Sequence, residues 1–343
     1  MTKYIVTGNK GFIGTHMCNL LAEKGDIFYG IDANLAGSNC FETEGTKNCQ
    51  KQYTYNLCDL NLYEEIKSDF NNDFKDVIVI NYAAFSHVDL SIKTPISLVT
   101  QNIQSTYTIA EFCAKNNIPF VNIGTDEIFG ELTIDEPPFS SFSPLHPRNP
   151  YSASKACSEV LLESLVAQYP NWKLLRTRCV NNFGEYQDYT KLIPVCISNI
   201  INNQPIPVYG QGKQIRSWID AKVHNEVVYR LIQKSFVNSK CVLDLRASRC
   251  YNIGSIYELS NISLISEICN IMNVDVNSVV QFVSDPRGNA HDFRYSLDSR
   301  STEHYLSYNF TGFDFKSRLQ QVIEWYKNNL SNKEQMWKGS SNV

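Results

Sequence analysis

The octapeptide TGNKGFIG, Thr7 to Gly14, follows directly on the apolar run KYIVT, Lys3 to Thr7. A short apolar run with β-branched and aromatic residues reads as a buried strand. Gly8, Gly11 and Gly14 then allow a tight turn, close approach of a pyrophosphate, and close packing of helix on strand. The helix opening here reads from Thr15 to Lys24, and its free N–H groups would face phosphates. Phe12 and Ile13 belong to the same cradle. A second strand, Asp26 to Ile31, leads to Asp32. A carboxylate there accepts hydrogen bonds from adenosine ribose hydroxyls and repels a 2′-phosphate, so the expected cofactor is NAD.

Outward from this unit the first half alternates strand and helix patterns. Tyr53 to Leu57, Val77 to Asn81, Pro119 to Ile123 and Trp172 to Arg178 read as strands. Pro95 to Asn116 and Tyr151 to Tyr169 read as helices. The expected fold is α/β: a Rossmann-type doubly wound parallel sheet with a smaller C-terminal α/β substrate lobe. The first domain takes 1–182, with chain returning to it from the C-terminal half. Past Phe183 the texture changes, with prolines at 205 and 207 and irregular stretches at Pro205 to Ser217 and Ser284 to Asp298. The lobe takes 183–330, ending in a helix from Phe315 to Leu330, and a polar tail takes 331–343.

Composition narrows the function classes. With 43% hydrophobic and 19% charged residues among 343, this is an ordinary globular chain. A net charge of -4 without any basic run argues against nucleic acid as partner. No apolar stretch is long enough for a bilayer, and the N-terminus has no signal-peptide pattern, so no membrane partner and a cytoplasmic location are expected. The eleven cysteines are scattered without a C-x-x-C pair, which reads as reduced, mostly buried thiols and no metal site.

Two clusters carry chemistry. Tyr151 and Lys155 lie four apart in YSASK, behind Pro150, which suits a helix entry. An ammonium beside a phenol stabilises the phenolate and lowers its pKa, which makes Tyr151 a usable base for a hydroxyl losing hydride. The same spacing arises by chance on solvent-facing helices, so its weight comes from the glycine loop. The second cluster is Thr125-Asp126-Glu127 in GTDEIFGEL, after the strand PFVNI. Thr125 can polarise a substrate oxygen. Paired acids at the carboxyl end of a strand suit elimination, one giving a proton as the other takes one. An acidic pair can also merely cap a helix or form a turn.

Together these features resemble the extended short-chain dehydrogenases and, within them, the dTDP-glucose 4,6-dehydratase family. The closer resemblance rests on TDEIFG, YAAFSHVDLSI (Tyr82 to Ile92), QNIQSTYT (Gln101 to Thr108), NPYSASKA (Asn149 to Ala156), NNFGEYQ (Asn181 to Gln187), KLIP (Lys191 to Pro194) and YGQGKQIRSWI (Tyr209 to Ile219). It implies an NAD-dependent lyase converting a nucleoside-diphosphate hexose, of the dTDP-glucose or UDP-glucose type, to the 4-keto-6-deoxy sugar for deoxysugar synthesis. Tyr151, supported by Lys155, would deprotonate the C4 hydroxyl while Thr125 holds that oxygen. Glu127 would take the C5 proton and Asp126 would protonate the departing C6 hydroxyl. The implied cofactor contacts add Asp59, Leu60, Ala83 and Ala84. The implied substrate contacts are Ser86, Asn182, Lys191, Leu192, Arg216, Asn252 and His291, with Arg216 on the diphosphate. The resemblance also implies a homodimer, paired through Ser97 to Asn116 and the Tyr151 helix.

Three departures stand out. The family carries Glu where this chain has Phe85, so the pocket near sugar C2 offers an apolar face and UDP-GlcNAc 4,6-dehydration, with or without C5 epimerisation, is the alternative. SDPRGNAHDFRY exchanges Pro286 and Arg287 and lengthens the run to His291. Ala221-Lys222 stand where the family carries acids. A 4-epimerase or a decarboxylase would share the glycine loop and Y-x-x-x-K but has no need of Asp126 with Glu127. A binding protein that kept only the fold usually lacks the Tyr-Lys pair.

Overall fold

A computed structural model of the chain describes residues 1–35, 38–238 and 249–330. The polar tail expected at 331–343 lies outside the described residues.

The chain opens with β1 (Lys3–Thr7), α1 (Phe12–Lys24), β2 (Ile27–Ile31), α2 (Glu44–Asn48), β3 (Gln52–Tyr53), α3 (Leu60–Asp69) and β4 (Val77–Asn81). Then come α4 (Val88–Lys93), α5 (Pro95–Lys115), β5 (Phe120–Thr125), α6 (Pro150–Gln168) and β6 (Leu174–Cys179). The later half adds β7 (Asn181–Phe183), α7 (Leu192–Ile201), β8 (Ile206–Tyr209), β9 (Ile215–Asp220), α8 (Ala221–Ile232) and β10 (Arg249–Ile253). It ends with β11 (Glu258–Ser260), α9 (Asn261–Met272), α10 (Val276–Val279), β12 (Val280–Val283), α11 (Arg300–Leu306) and α12 (Phe315–Asn329).

The main sheet runs β10-β6-β5-β4-β1-β2-β3, and all its pairings are parallel. The chain leaves β1 towards β2 and β3, then crosses back to β4, so the strand order reverses between β1 and β4. That reversal opens a crevice at the carboxyl ends of the strands, where open α/β sheets bind ligands. β4, β5 and β6 are buried along their whole length, as the central strands of a parallel sheet covered on both faces are.

Two apolar layers sandwich the sheet. One joins Met17, Cys18 and Leu21 of α1 to Val227, Val228 and Leu231 of α8. The other joins Leu62, Tyr63 and Ile66 of α3 to Ile109 and Phe112 of α5 and Leu162 and Leu165 of α6. Each fully buried Leu or Ile contributes roughly 1.5–3 kcal/mol. A third core, around Phe183, Trp218, Ile265 and Leu319, belongs to the second lobe with its sheets β11-β9-β7 and β12-β8. Chain from the later half does return to the first body: α8 packs on α1 and β10 becomes an edge of the main sheet.

Local chemistry explains the element ends. Pro150 stands in the first turn of α6, and Asn149 caps it in a reciprocal box with Ser152. α1 stops at Gly25, left-handed at φ 73. The third strand is shorter than its reading, because the chain bends away after Tyr53 towards the cleft. α3 was not legible in LNLYEEIKSD, where only Leu62, Tyr63 and Ile66 are buried. The irregular stretch from Pro205 holds β8 and the start of β9.

Candidate active site

A cleft of about 410 Å³ runs along the carboxyl ends of β1, β2, β4, β5 and β6. At one end the glycine loop is pressed against the backbone of Tyr82 and Ala83, just past the end of β4. Gly8 has φ +65, and a Cβ there would lie 2.8 Å from the Ala83 nitrogen; one on Gly14 would lie 2.2 Å from the Gly8 carbonyl oxygen. Only glycine fits either place. Gly11 caps α1 without any side-chain hydrogen bond, so the first-turn N–H groups of Phe12 and Ile13 remain for an anion. Asp32 is held by the Lys10 N–H at 3.1 Å, the Asn34 N–H at 2.7 Å and the Ser38 hydroxyl at 2.9 Å. A pyrophosphate cradle beside a fixed carboxylate fits a dinucleotide with free ribose hydroxyls.

At the other end β5 runs out into a single 3-10 turn, Asp126–Phe129, facing the start of α6. The Thr125 hydroxyl donates to Asp126 Oδ1 at 3.3 Å and accepts the Glu127 N–H at 3.4 Å. Asn149 Nδ2 donates to Glu127 Oε2 at 3.3 Å, tying the cap of α6 to the second acid. Lys155 Nζ donates to the Ile123 carbonyl at 2.9 Å. Thr125, Asp126, Glu127, Tyr151 and Lys155 all line this one cleft.

Burial dominates their electrostatics. It pushes the Asp126 carboxyl up to about 8, with the Glu127 charge adding and Arg216 opposing. Burial also raises Glu127, against the pull of Arg216 and Asn149. Asp126 is therefore able to hold a proton near neutrality. The reading of a lowered tyrosine is overturned. Burial first, then Glu127, Cys179 and Asp126, hold the Tyr151 phenol well above its usual value, while a hydrogen bond with Thr125 lowers it. Lys155 donates a hydrogen bond to the Ile123 carbonyl, and burial pushes its pKa down.

The family model described as GDP-mannose 4,6 dehydratase matches residues 5–313. The dTDP-glucose 4,6-dehydratase of Haemophilus influenzae is 33% identical over 96% of this chain and 99% of its own length. The chain belongs to the dTDP-glucose 4,6-dehydratase family. A crystal structure of DesIV, the dTDP-glucose 4,6-dehydratase of Streptomyces venezuelae with NAD and TYD bound, superposes with a TM-score of 0.85. It is 27% identical and covers 99% of this chain and 100% of its own. The UDP-glucose 4-epimerase of Thermus thermophilus superposes almost as well, with a TM-score of 0.82, but at 19% identity over 96% of this chain and 100% of its own. That likeness shows only that family members and epimerases share a fold.

The cofactor positions expected from the family divide. Gly8, Gly11, Phe12, Ile13, Gly14, Asp32, Ala83 and Ala84 line the cleft; Asp59 and Leu60 do not. Asp59 caps α3 through the Asn61 N–H, and Leu60 is 71% exposed. Asn56 and Leu57, three residues earlier, line the cleft instead.

Of the expected substrate contacts, Ser86, Asn182 and Lys191 line the cleft, and Leu192, Arg216, Asn252 and His291 do not. Leu192 begins α7 and packs against the third core. Asn252 is fully buried in β10, donating to the Phe139 carbonyl at 3.0 Å and the Asp298 carbonyl at 3.3 Å, so it ties strand to loop. Arg216 donates to the carbonyls of Ile215, Phe293 and Asp292 and lies 4.3 Å over the Tyr295 ring. His291 binds Asp285 at 2.6 Å, and Arg287 pairs with Asp89 at 2.5 Å. Lys222 pairs with Glu185 at 3.0 Å beside Arg318, which gives that departure a structural account.

Sequence reasoning also passed over Asn149 and His87. Burial and the Lys191 charge push His87 down to about 4, so it is a neutral acceptor 3.4 Å from the Lys191 ammonium. Among the described residues no cluster could hold a metal ion, and no helix is long and apolar enough to cross a membrane.

Proposed function

We propose that this chain catalyses the NAD-dependent 4,6-dehydration of a nucleoside-diphosphate hexose of the dTDP-glucose type. The observation that carries the proposal is the acid pair: Asp126, buried and proton-bearing up to about 8, stands beside Glu127 in the cleft that Tyr151 also lines. NAD, when bound, supplies the hydride acceptor for the oxidation and the hydride donor for the closing reduction. Gly8, Gly11, Gly14, Asp32, Leu57 and Ala83, which line the cleft, would hold it. Tyr151 takes the C4 hydroxyl proton from its minor phenolate form, which a charged Lys155 would favour, through the Thr125 hydroxyl that orients the same oxygen. The resulting ketone acidifies C5, and Glu127 removes that proton. Asp126 gives its proton to the C6 hydroxyl, which leaves as water. Ser86, Asn182 and Lys191 orient the sugar.

The test is incubation with dTDP-glucose, UDP-glucose and UDP-GlcNAc, followed by mass spectrometry. Loss of one water is expected; an unchanged mass with a new stereoisomer would mean an epimerase and sink the proposal. Phe85 favours one second reading. Its backbone is pinned by Asn102 at 2.8 and 3.1 Å while its ring lines the cleft, which suits an N-acetyl group on C2. Faster turnover of UDP-GlcNAc than of either glucose donor would select it. We further propose a cytosolic homodimer joined through α5 and α6, on whose outer surfaces Ile96 and Val160 are 83% and 60% exposed. A monomer mass in solution would exclude that pairing.

A further inference from the structure

One turn beyond Lys155, α6 carries a carboxylate that the chemistry above does not use. Glu159 is 2% exposed. Arg178 of β6 grips it, with Nε at 3.2 Å from both oxygens and Nη2 at 2.8 Å from one. Arg176 stands 3.5 Å away on the same strand. Arg178 also donates to the Ser141 carbonyl at 2.9 Å and lies 4.8 Å over the Phe129 ring, at the end of the acid-bearing turn. The other edge of Glu159 abuts Gly124, where a Cβ would lie 3.0 Å from Oε1 and 2.7 Å from the Thr177 carbonyl. Gly124 stands between Ile123, whose carbonyl holds Lys155, and Thr125.

The pair therefore touches the helix of Tyr151 and Lys155, the backbone from which Thr125 springs, and the turn that carries the acids. Buried ion pairs seldom add net stability over apolar residues of the same volume. Their worth is in fixing geometry, and this one lies where the two halves of the site meet.

We infer that Glu159, braced by Arg178, is a positioning residue that keeps the Lys155 ammonium charged and the Gly124–Thr125 backbone in place for the reaction. The inference deepens the dehydratase reading and rests on it. Burial drives Lys155 towards the neutral amine, and Glu159 followed by Cys179 oppose that drift. The groups that act on the ammonium are Glu159, one turn along α6, and Cys179 of β6, with Asp126 acting on Cys179 from the turn. Burial pushes the Cys179 thiol up to about 12, the phenol is higher than usual, and Asp126 keeps its proton to about 8. Glu159, gripped in an ion pair by Arg178, is thus the charge partner of the set that the fold itself fixes in place.

The test uses the NAD-loaded enzyme with Glu159→Gln and with Glu159→Gln/Arg178→Gln, the second leaving no lone buried charge. Lysine Cε labelled with carbon-13 reports the Lys155 titration directly, apart from any turnover. In both variants Lys155 is expected to titrate about one pH unit lower, with the alkaline limb of the NADH-forming step moving the same way, kcat about tenfold lower and KM within about twofold. An unaltered Lys155 titration in the folded double variant overturns the inference. Arg178→Lys keeps the charge but loses the fork, so kcat should fall about threefold with Lys155 titrating as before; an unchanged kcat there overturns the bracing. Failure of the dehydratase reading would appear elsewhere, as no loss of water by the unaltered chain.

Discussion

The first turns of α6 and the turn that ends β5 face each other across one end of the cleft, and they are built on opposite principles. On α6 the working groups are fixed by helix geometry and satisfied by the fold: Lys155 on the Ile123 carbonyl, Asn149 and Ser152 in a closed capping box. On the β5 turn one acid is left under-satisfied. Asp126 Oδ2 is buried without a hydrogen-bond partner among the described residues, and so is Oδ1 of Asn182 on β7, which lines the same cleft. An orphaned buried oxygen is costly, and one that persists in a site is poised for a ligand. The rigid side is the part shared by many oxidising enzymes of this fold. The unsatisfied side is where the reaction becomes a dehydration.

The comparison breaks hardest on the helix. Tyr151→Phe removes the only base proposed for the first step, and NADH formation in a single turnover should fall about 10³-fold. Retention of that step within tenfold would mean that another group takes the proton. Asp126→Asn attacks the other side, and water loss should fall about 10²-fold while NADH formation stays within a few fold. The same asymmetry has a pH signature. Asp126 acts as an acid, so it must hold its proton, and its raised pKa keeps that proton to about 8. Water loss followed by mass spectrometry should therefore decline as pH rises through about 8. An alkaline limb unmoved in Asp126→Asn would assign it to a different group.

These two sides also differ in how far the residues announced them. The glycine loop and Y-x-x-x-K depend on local rules, turn sterics and helical spacing, and a local rule survives in a single sequence. So Gly8, Asp32, Tyr151 and Lys155 could be placed without coordinates. The triplet was legible as residue types, but its electrostatics was not. The high Tyr151 pKa and the proton on Asp126 come from burial by elements remote in sequence. The second lobe was the least legible. Its contacts, such as Asn252 on the Phe139 carbonyl and Arg216 on the Asp292 carbonyl, join segments far apart in the chain. No periodicity encodes them. The edge strand β3 ends earlier than its apolar pattern suggests, and Asn56 and Leu57 line the cleft where Asp59 and Leu60 do not.

Asn149 belongs to both sides, and it sharpens the contrast between them. Asn149→Asp keeps an acceptor for the Ser152 N–H, so the cap and the melting temperature should hold. It replaces the donor to Glu127 with a second carboxylate, which raises Glu127 further. Water loss at neutral pH should drop about tenfold, with NADH formation little changed. Equal losses in both steps would show that Asn149 serves the helix rather than the acid.

The smallest effect is on stability, and it asks whether the unsatisfied side costs the fold anything. Asp126 rises from 3.8 to about 8 on folding. The folded state thus binds this proton more tightly than the unfolded chain does. Its favourable contribution is complete below about 3.8 and is lost progressively as pH climbs to about 8. Asn does not titrate, so the melting temperature of Asp126→Asn relative to the unaltered chain should rise with pH across that window and level off above it. Tyr151→Phe removes a phenol that stays protonated throughout, so its difference should be flat over the same range. A flat difference for Asp126→Asn as well would mean that this carboxyl ionises as an ordinary surface acid does. The turn at the end of β5 would then be no more strained electrostatically than the helix opposite.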